Sequence, residues 1–494
     1  MRRSLVLPNM NILETYHIIA DNVDVVVDIE KSEEGVLYHV NIPSLTKPTQ
    51  ALLSELKQRL IVEVMVGASD VLDQKLVLEV KKRFTDKANT VLDSLVPDMR
   101  VDIKNFLTGM LIHDMLGLGD IEFLLNDGQL EEIVVNSSTE AIRVYHRKYG
   151  WLSTNLTPVS EAQILNYSNI IARRVGRQIN ILNPLLDAHL LTGDRSNAVL
   201  YPISHKGNTI TIRKFARDPW TITDLMNNKT CTPEIFALLW LAIQYELNIL
   251  ISGGTGSGKT SFLNVIMPFV PPNHRILSIE DTRELQLPKF LFWAPLTVRQ
   301  ANPEGKGAVE MLDLLVNSLR MRPDRIILGE IRKQDQAEVL FEAMHTGHSV
   351  YATVHADSMS ETIRRLVNPP INVPPNLLAA VHLNVVMFRD RRRGIRRIFQ
   401  VGEYLVSEDA QDVRPNLLYR WRPVDDTIVQ HATPTRLFED LSTHTGMTND
   451  EIMADLAYKE KILRWLVKSN IRQVDDVGAV MHRYYTDPKS VFEK

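Results

Sequence analysis

The sequence predicts an α/β protein: a doubly wound parallel sheet in its carboxyl-terminal half, preceded by α+β modules. Three observations lead there. Short apolar strands take turns with amphipathic helices from about Thr232 onward. A glycine-rich turn of the form G-x-x-x-x-G-K-[ST] joins one of these strands to one of these helices, and two later strands end in carboxylates. In such a sheet the parallel strands deliver their carboxyl ends, and whatever chemistry follows them, to one edge.

At 494 residues the chain exceeds the length at which one hydrophobic core usually stops growing, so several domains are expected. Residues 1–105 set strand-like pieces (NVDVVVDIE, VLYHVNIP) beside charged helical ones (ALLSELKQRLIVEVM, KLVLEVKKRF), a small α+β module with no visible chemistry. Residues 106–228 form a second α+β domain, with LEEIVVN and AIRVYHR as strands, AQILNYSNIIARRVG as a helix, and SNAVLYPI and NTITIRKFA as strands joined around SHKG. The FARDPW turn and TITDLMNNKTCTPE, punctuated by Pro219 and Pro233, read as a linker. Residues 229–494 are the third domain. In it EIFALLWLAIQY, GKTSFLNVIMPF, MLDLLVNSLRM, QDQAEVLFEAM and SETIRRLVN are helices, and NILISG, RILSIED, DRIILGE and SVYATVHA are strands. Amphipathic helices follow from about Thr433.

Composition narrows the classes. Hydrophobic residues at 44% and charged residues at 23% are ordinary for a globular protein, and a net charge of -4 argues against a surface made generally for nucleic acid. The single cysteine, Cys231, excludes an internal disulfide framework and any site needing several thiolates, and reads as a small buried apolar residue. No run approaches the ~18 apolar residues a membrane span needs. The opening MRRSLVLPNMN lacks a long apolar region, so a chain kept in the cytoplasm is expected.

The glycine turn is the sharpest signal. In NILISGGTGSGKTSFLNVI the residues Gly253, Gly254, Thr255, Gly256, Ser257, Gly258, Lys259 and Thr260 follow an apolar strand and open a helix. Backbone N–H groups and the helix amino end then face phosphate oxygens, Lys259 reaches the β- and γ-phosphates of a nucleotide, and the Thr260 hydroxyl binds Mg²⁺. Hydrolysis requires acids nearby. ILSIED places Glu280 and Asp281, and RIILGE places Glu330, at strand ends where they converge on Mg²⁺, directly or through water, and on the attacking water.

Three histidines crowd AMHTGHSVYATVHADS: His345, His348 and His355. Their spacing allows a metal site, but with no cysteine ligands and with the acids wanted for Mg²⁺, contact of His355 with the γ-phosphate or the attacking water is the better reading. A satisfied strand-end histidine is the plain alternative.

GGTGSGKT, SIEDTREL, RMRPDRIILGEIR and TGHSVYATVHADS together resemble, in order, the Walker A, Asp box, Walker B and His box of the type II/type IV secretion ATPase superfamily. The likeness is greatest to the archaeal archaellum motor and archaeal secretion or pilus ATPases and to the Tad pilus ATPases. It covers roughly residues 110–405, with ANPEGKGAVEMLDLL, TIRKFARDPWTITDLM and VNPPINVP adding to it. The resemblance implies a RecA-like ATPase domain behind amino-terminal α+β domains, the second PAS-like, assembled as a homo-hexameric ring that uses ATP and Mg²⁺. It implies Glu330 as activator of water, Glu280 in the Asp box, His348 and His355 in the His box, and Arg195 and Arg213 as arginines approaching the phosphates. It further implies a peripheral place at the inner face of the cytoplasmic membrane, a polytopic platform protein and a pilin- or archaellin-like filament as partners, and no nucleic acid.

Some positions depart from the family pattern. Lys333 follows GEIR where glycine is common, LEEI with Glu132 stands for LEDI, and the four-cysteine zinc insertion of some bacterial members is impossible here. The six arginines between Arg389 and Arg397 in FRDRRRGIRRIFQV are expected on a strand, turn and strand. They read as a solvated hairpin, with contacts to anionic lipid or phosphate backbones as the functional alternatives. The competing readings of the whole chain are a nucleic-acid-translocating RecA-like motor and a nucleotide-binding regulator without turnover.

Overall fold

The computed structural model describes residues 11–32, 35–63, 74–190, 193–215, 219–299, 301, 305–407 and 412–492. Residues 216–218 of the FARDPW turn and 302–304 of ANPEGK lie outside them. The chain divides into two compact units, Met1–Arg217 and Asp218–Lys494.

The first unit is built on one nine-stranded sheet. Strands Asn11–Ala20, Val23–Ser32 and Gly35–Asn41 form an antiparallel meander whose alternating Val23, Val25, Val27 and Ile29 are fully buried, the period of two expected of a half-buried sheet. Strands Leu130–Val135, Arg143–His146, Gly150–Thr154, Leu185–His189, Arg195–Val199 and Thr209–Arg213 complete it. Helices Lys47–Glu63, Gln74–Leu95 and Val101–Met115 share a separate apolar cluster around Leu56, Phe84 and Leu111.

The expected division at 105/106 therefore needs correction: it falls inside helix Val101–Met115, and the strands on either side of it belong to one sheet. The join is a parallel pairing of Leu37 with Ser153 and of Tyr38 with Thr154, contacts more than a hundred residues apart that leave no local sequence signal. The boundary expected at 228/229 likewise lies too late. Helix Ile222–Asn227, whose Thr221 and Asp224 make a capping box, belongs to the second unit.

The second unit carries the expected parallel sheet. Its nine strands run in the spatial order Phe292–Thr297, Arg275–Glu280, Arg325–Leu328, Ser349–Val354, Ile249–Gly253, Leu383–Asp390, Ile395–Val406, Val413–Arg422 and Thr427–Gln430. The first six are parallel and the last three antiparallel. The antiparallel extension past Asp390 was visible in the sequence only as the arginine hairpin. The central strands are buried on both faces, and Ile249 and Ile251 enter one apolar cluster while Leu250 enters the other.

On one face pack helices Pro233–Gln244 and Lys259–Ile266 with the carboxyl-terminal Arg436–Thr445, Asn449–Lys468 and Val474–Thr486. The other face takes Met311–Ser318, Gln334–His345 and Met359–Val367. Trp240 anchors the first layer, fully buried, stacked on Phe269 at 5.1 Å and donating to Tyr485 Oη at 3.0 Å, so Trp240→Ala would cost about 3–5 kcal/mol. Cys231 is buried, as a small apolar residue should be. No helix among the described residues is long and apolar enough to cross a membrane.

Candidate functional site

The glycine turn leaves the carboxyl end of Ile249–Gly253 and feeds helix Lys259–Ile266, with that strand central in the sheet. Gly253 has φ +150°, and a Cβ there would stand 2.5 Å from the Met387 carbonyl, so only glycine lets the turn leave the strand this close to its neighbour. Ser257 Oγ closes the loop onto the Gly254 carbonyl at 2.8 Å. Lys259 Nζ folds across it and donates to the carbonyls of Gly253 at 2.8 Å and Gly254 at 3.1 Å. A buried polar chain braces the strand below: Thr362 Oγ1 donates to Ser252 Oγ at 2.9 Å, and Ser252 Oγ to Asn384 Oδ1 at 2.6 Å. Asn384 Nδ2 then donates to Tyr404 Oη at 2.8 Å.

Burial pushes the Lys259 ammonium below its ordinary pKa, while the charges of Glu330, Asp357 and Glu284 act to raise it. Glu330 follows strand Arg325–Leu328, one strand removed from the glycine turn, with Ser349–Val354 between them. Thr353 Oγ1 donates to the Gly329 carbonyl at 2.6 Å and Ile331 N to the Thr353 carbonyl at 2.9 Å, which fixes the backbone on both sides of Glu330.

Glu330 is joined to Arg332, whose Nε donates to Oε2 at 2.9 Å, and the same guanidinium reaches Asp281. Glu280 takes another direction. Its side chain is buried, Oε1 accepts from the backbone N–H of Glu284 at 2.9 Å and Leu285 at 3.1 Å, and Oε2 has no partner among the described residues. Burial pushes its carboxyl up to about 7. A buried acid with an unpartnered oxygen is a group held ready for a ligand or a proton.

His355 and His348 separate. His355 follows the carboxyl end of Ser349–Val354 and shares a 2.8 Å hydrogen bond, Nε2 to Thr255 Oγ1, with the glycine turn. His348 precedes the amino end of the same strand and lies against the Ala343 carbonyl and Thr346 hydroxyl, each at 3.3 Å from Nδ1. Six strand residues span roughly 20 Å, so the two histidines lie at opposite ends of the strand, and of the two only His355 is bonded to the glycine turn among the described residues. The same separation keeps them from sharing one metal ion. His345 ends helix Gln334–His345.

Arg195 and Arg213 lie in the first unit. They face each other across an antiparallel pair, and Arg195 is held bidentately by Asp187, Nε to Oδ1 at 3.1 Å and Nη2 to Oδ2 at 2.8 Å. Glu132 pairs with Arg213 in the same ladder, and burial raises its pKa while that arginine lowers it.

The part of four residues at this site escaped the sequence reading. Arg332 was quoted only as part of a motif. Asp357, whose Oδ1 stands 2.7 Å from where a Cβ on Gly254 would sit, was legible only as HAD after a strand. Arg389 and Arg396 of the hairpin lie against the glycine turn rather than in solvent.

The positions fit a nucleoside triphosphate with Mg²⁺. The turn offers a cradle that a Cβ would obstruct, and Lys259 is held on carbonyls it can exchange for phosphate oxygens. Thr260 opens the helix where Mg²⁺ would be held. A bound Mg²⁺ would neutralise phosphate charge.

The chain is similar to several known proteins. The family described as Type II/IV secretion system protein matches residues 194–392. An uncharacterized protein of Methanocaldococcus jannaschii is 37% identical, over 97% of this chain and 89% of its own length. The type IV secretion system protein PtlH of Bordetella pertussis is 30% identical, over 55% of this chain and 88% of its own length. Among solved structures, the VirB11 ATPase of the Brucella suis type IV secretion system matches at 26% identity and a TM-score of 0.30, over 56% of this chain and 90% of that one.

Proposed function

Since this chain belongs to the type II/IV secretion system protein family, we propose that it is a Mg²⁺-dependent ATPase acting as a homo-hexamer. It couples ATP hydrolysis to assembly or rotation of a type IV pilus-like filament, archaellum or pilus, or to protein secretion through a polytopic platform protein. Its place is then the inner face of the cytoplasmic membrane.

The observation that carries the reading is a glycine turn between a central strand and a helix, with Lys259 folded across it and His355 and Asp357 beside it. Lys259 and Thr260 bind the phosphates and Mg²⁺. Glu330 takes the proton of the attacking water after Arg332 gives it up, and His355 reports on the terminal phosphate through Thr255. Arg195 and Arg213 supply charge to the transition state in the assembled ring, a contribution worth ~10³ to 10⁵ in rate where such arginines act.

The nucleic-acid motor has less support. Of the hairpin arginines it would use, Arg397 is bound to Asp426 by two bonds of 2.8 Å, Arg393 donates to the Pro423 carbonyl at 3.2 Å, and Arg389 and Arg396 lie on the P-loop.

The deciding experiment isolates the Glu330→Gln protein with Mg·ATP from native cells and identifies its companions by mass spectrometry. A polytopic membrane protein with filament subunits is expected. Nucleic acid and its processing proteins in their place would move the assignment to the motor.

A further inference from the structure

The P-loop strand and its neighbour Ser349–Val354 are paired in parallel as far as Ser252 and Val354, and past those residues the ladder between them ends. One segment continues as the glycine turn. The other continues through His355 and Asp357 into helix Met359–Val367, which Ser358 caps by accepting the Glu361 N–H at 3.1 Å. Side chains take over from the ladder. His355 Nε2 and Thr255 Oγ1 are 2.8 Å apart, and Asp357 lies against Gly254. One helical turn into Met359–Val367, Thr362 Oγ1 donates to Ser252 Oγ at 2.9 Å.

The Thr362 hydroxyl has one proton and two acceptors within reach, Ser252 Oγ and the Ser358 carbonyl, both at 2.9 Å. That carbonyl already accepts the Thr362 N–H at 2.8 Å, which directs the hydroxyl to Ser252. Thr362 and Ser252 are both fully buried, so water cannot replace the bond between them. It closes a ring of chain that runs from Ser252 to Thr255, across to His355, on to Ser358 and Thr362, and back to Ser252. The start of the helix is moored to strand Ile395–Val406, Met359 N donating to Gln400 Oε1 at 2.9 Å, and Thr362 adds the tie to the P-loop strand.

We propose that Thr362 is a positioning residue for His355: its bond to Ser252 holds the start of helix Met359–Val367, and with it the His355–Asp357 segment, where His355 meets the terminal phosphate of a nucleoside triphosphate. This rests on the P-loop being a nucleotide site and on His355 acting there. A displacement of about 1 Å at a reacting group can cost about a hundredfold in rate, so a buried tie of this kind governs turnover without touching the nucleotide. ADP has no terminal phosphate for His355 to meet, and its binding is spared.

The test measures steady-state phosphate release from Mg·ATP, ADP affinity by calorimetry and the thermal midpoint. It uses the full chain as wild type, Thr362→Val, Thr362→Ser, His355→Ala and the double variant Thr362→Val with His355→Ala. Valine keeps the shape of threonine without its hydroxyl, and Ser252 Oγ retains its bond to Asn384, so no buried donor loses its acceptor. Thr362→Val is expected to lower kcat about ten- to hundredfold, with ADP affinity within about threefold of wild type and the midpoint within a few degrees. Thr362→Ser should recover most of the rate. The double variant should turn over like His355→Ala alone, because the tie acts through His355. Wild-type turnover in Thr362→Val overturns the proposal and leaves the P-loop reading standing, as does a further drop in the double variant. A joint loss of midpoint, ADP affinity and turnover also overturns it, making Thr362 a prop of the fold. If His355→Ala turns over as wild type does, or wild type releases no phosphate, the reading beneath the proposal falls and the proposal with it. Should Thr362→Val fail to fold, Ser252→Ala removes the other partner of the bond and carries the comparison.

Discussion

The guanidinium of Arg332 donates from Nε to Glu330 Oε2 at 2.9 Å, and a second nitrogen of the same group reaches Asp281. The proposed base is thus held by a cation two residues along its own chain, and the ends of two neighbouring strands are tied together. This pair is well exposed on the arginine side, so it adds less than about 1 kcal/mol to the fold. Glu330→Gln should therefore leave the thermal midpoint within a few degrees of wild type and retain ATP. Its steady-state phosphate release should drop by about 10² to 10⁴. Wild-type turnover in this variant would remove Glu330 from the chemistry.

What the sequence made legible follows from how local each feature is. The P-loop could be read because strand, turn and helix are contiguous, and the same holds for SETIRRLVN, which falls on helix Met359–Val367. Arg332 and Asp281 are 51 positions apart, and Arg396 and Gly256 140 apart, so those contacts exist only once strand order is known. His348 and His355 show the opposite failure. Their nearness in sequence allowed a shared metal, yet strand Ser349–Val354 holds them at its opposite ends.

Glu280 makes stability depend on pH. Burial lifts its carboxyl from the usual 4.5 to about 7, so the fold favours the protonated form. Its contribution is fully present below about pH 4.5 and is lost as pH rises through about 7, a loss on the order of 3 kcal/mol above that. Glu280→Gln keeps an oxygen for the Glu284 and Leu285 N–H groups without the charge. Urea unfolding should show the variant more stable than wild type at pH 8.5, with the advantage gone near pH 4.5, and its ATPase reduced. An advantage of the same size at both pH values would contradict the assignment.

Lys259 offers a separation of binding from folding. Among the described residues its ammonium meets only loop carbonyls within hydrogen-bond distance, so Lys259→Ala should barely move the melting temperature of the nucleotide-free protein. Wild type with Mg·ATP at a hundred times its Kd gains about 2.7 kcal/mol. The variant should lose most of that shift in a thermal scan with and without Mg·ATP. An undiminished shift would place the nucleotide elsewhere.

Arg195 and Arg213 stand opposite each other in the ladder Arg195–Arg213–Glu132, a like-charged pair balanced by Asp187 and Glu132 on its flanks. Such an arrangement gains little for the fold, since exposed pairs add about 0–1 kcal/mol and opposed like charges subtract a comparable amount. Arg195→Ala and Arg213→Ala should accordingly unfold within about 1 kcal/mol of wild type. If either arginine meets the transition state, its loss lowers kcat by ~10³ or more while ADP affinity stays within threefold. Mixing Arg213→Ala chains with Lys259→Ala chains adds a further readout, because a ring that shares sites between subunits regains turnover that neither variant has alone. Full activity in both single variants would return these arginines to the surface of the sheet, with no part in catalysis.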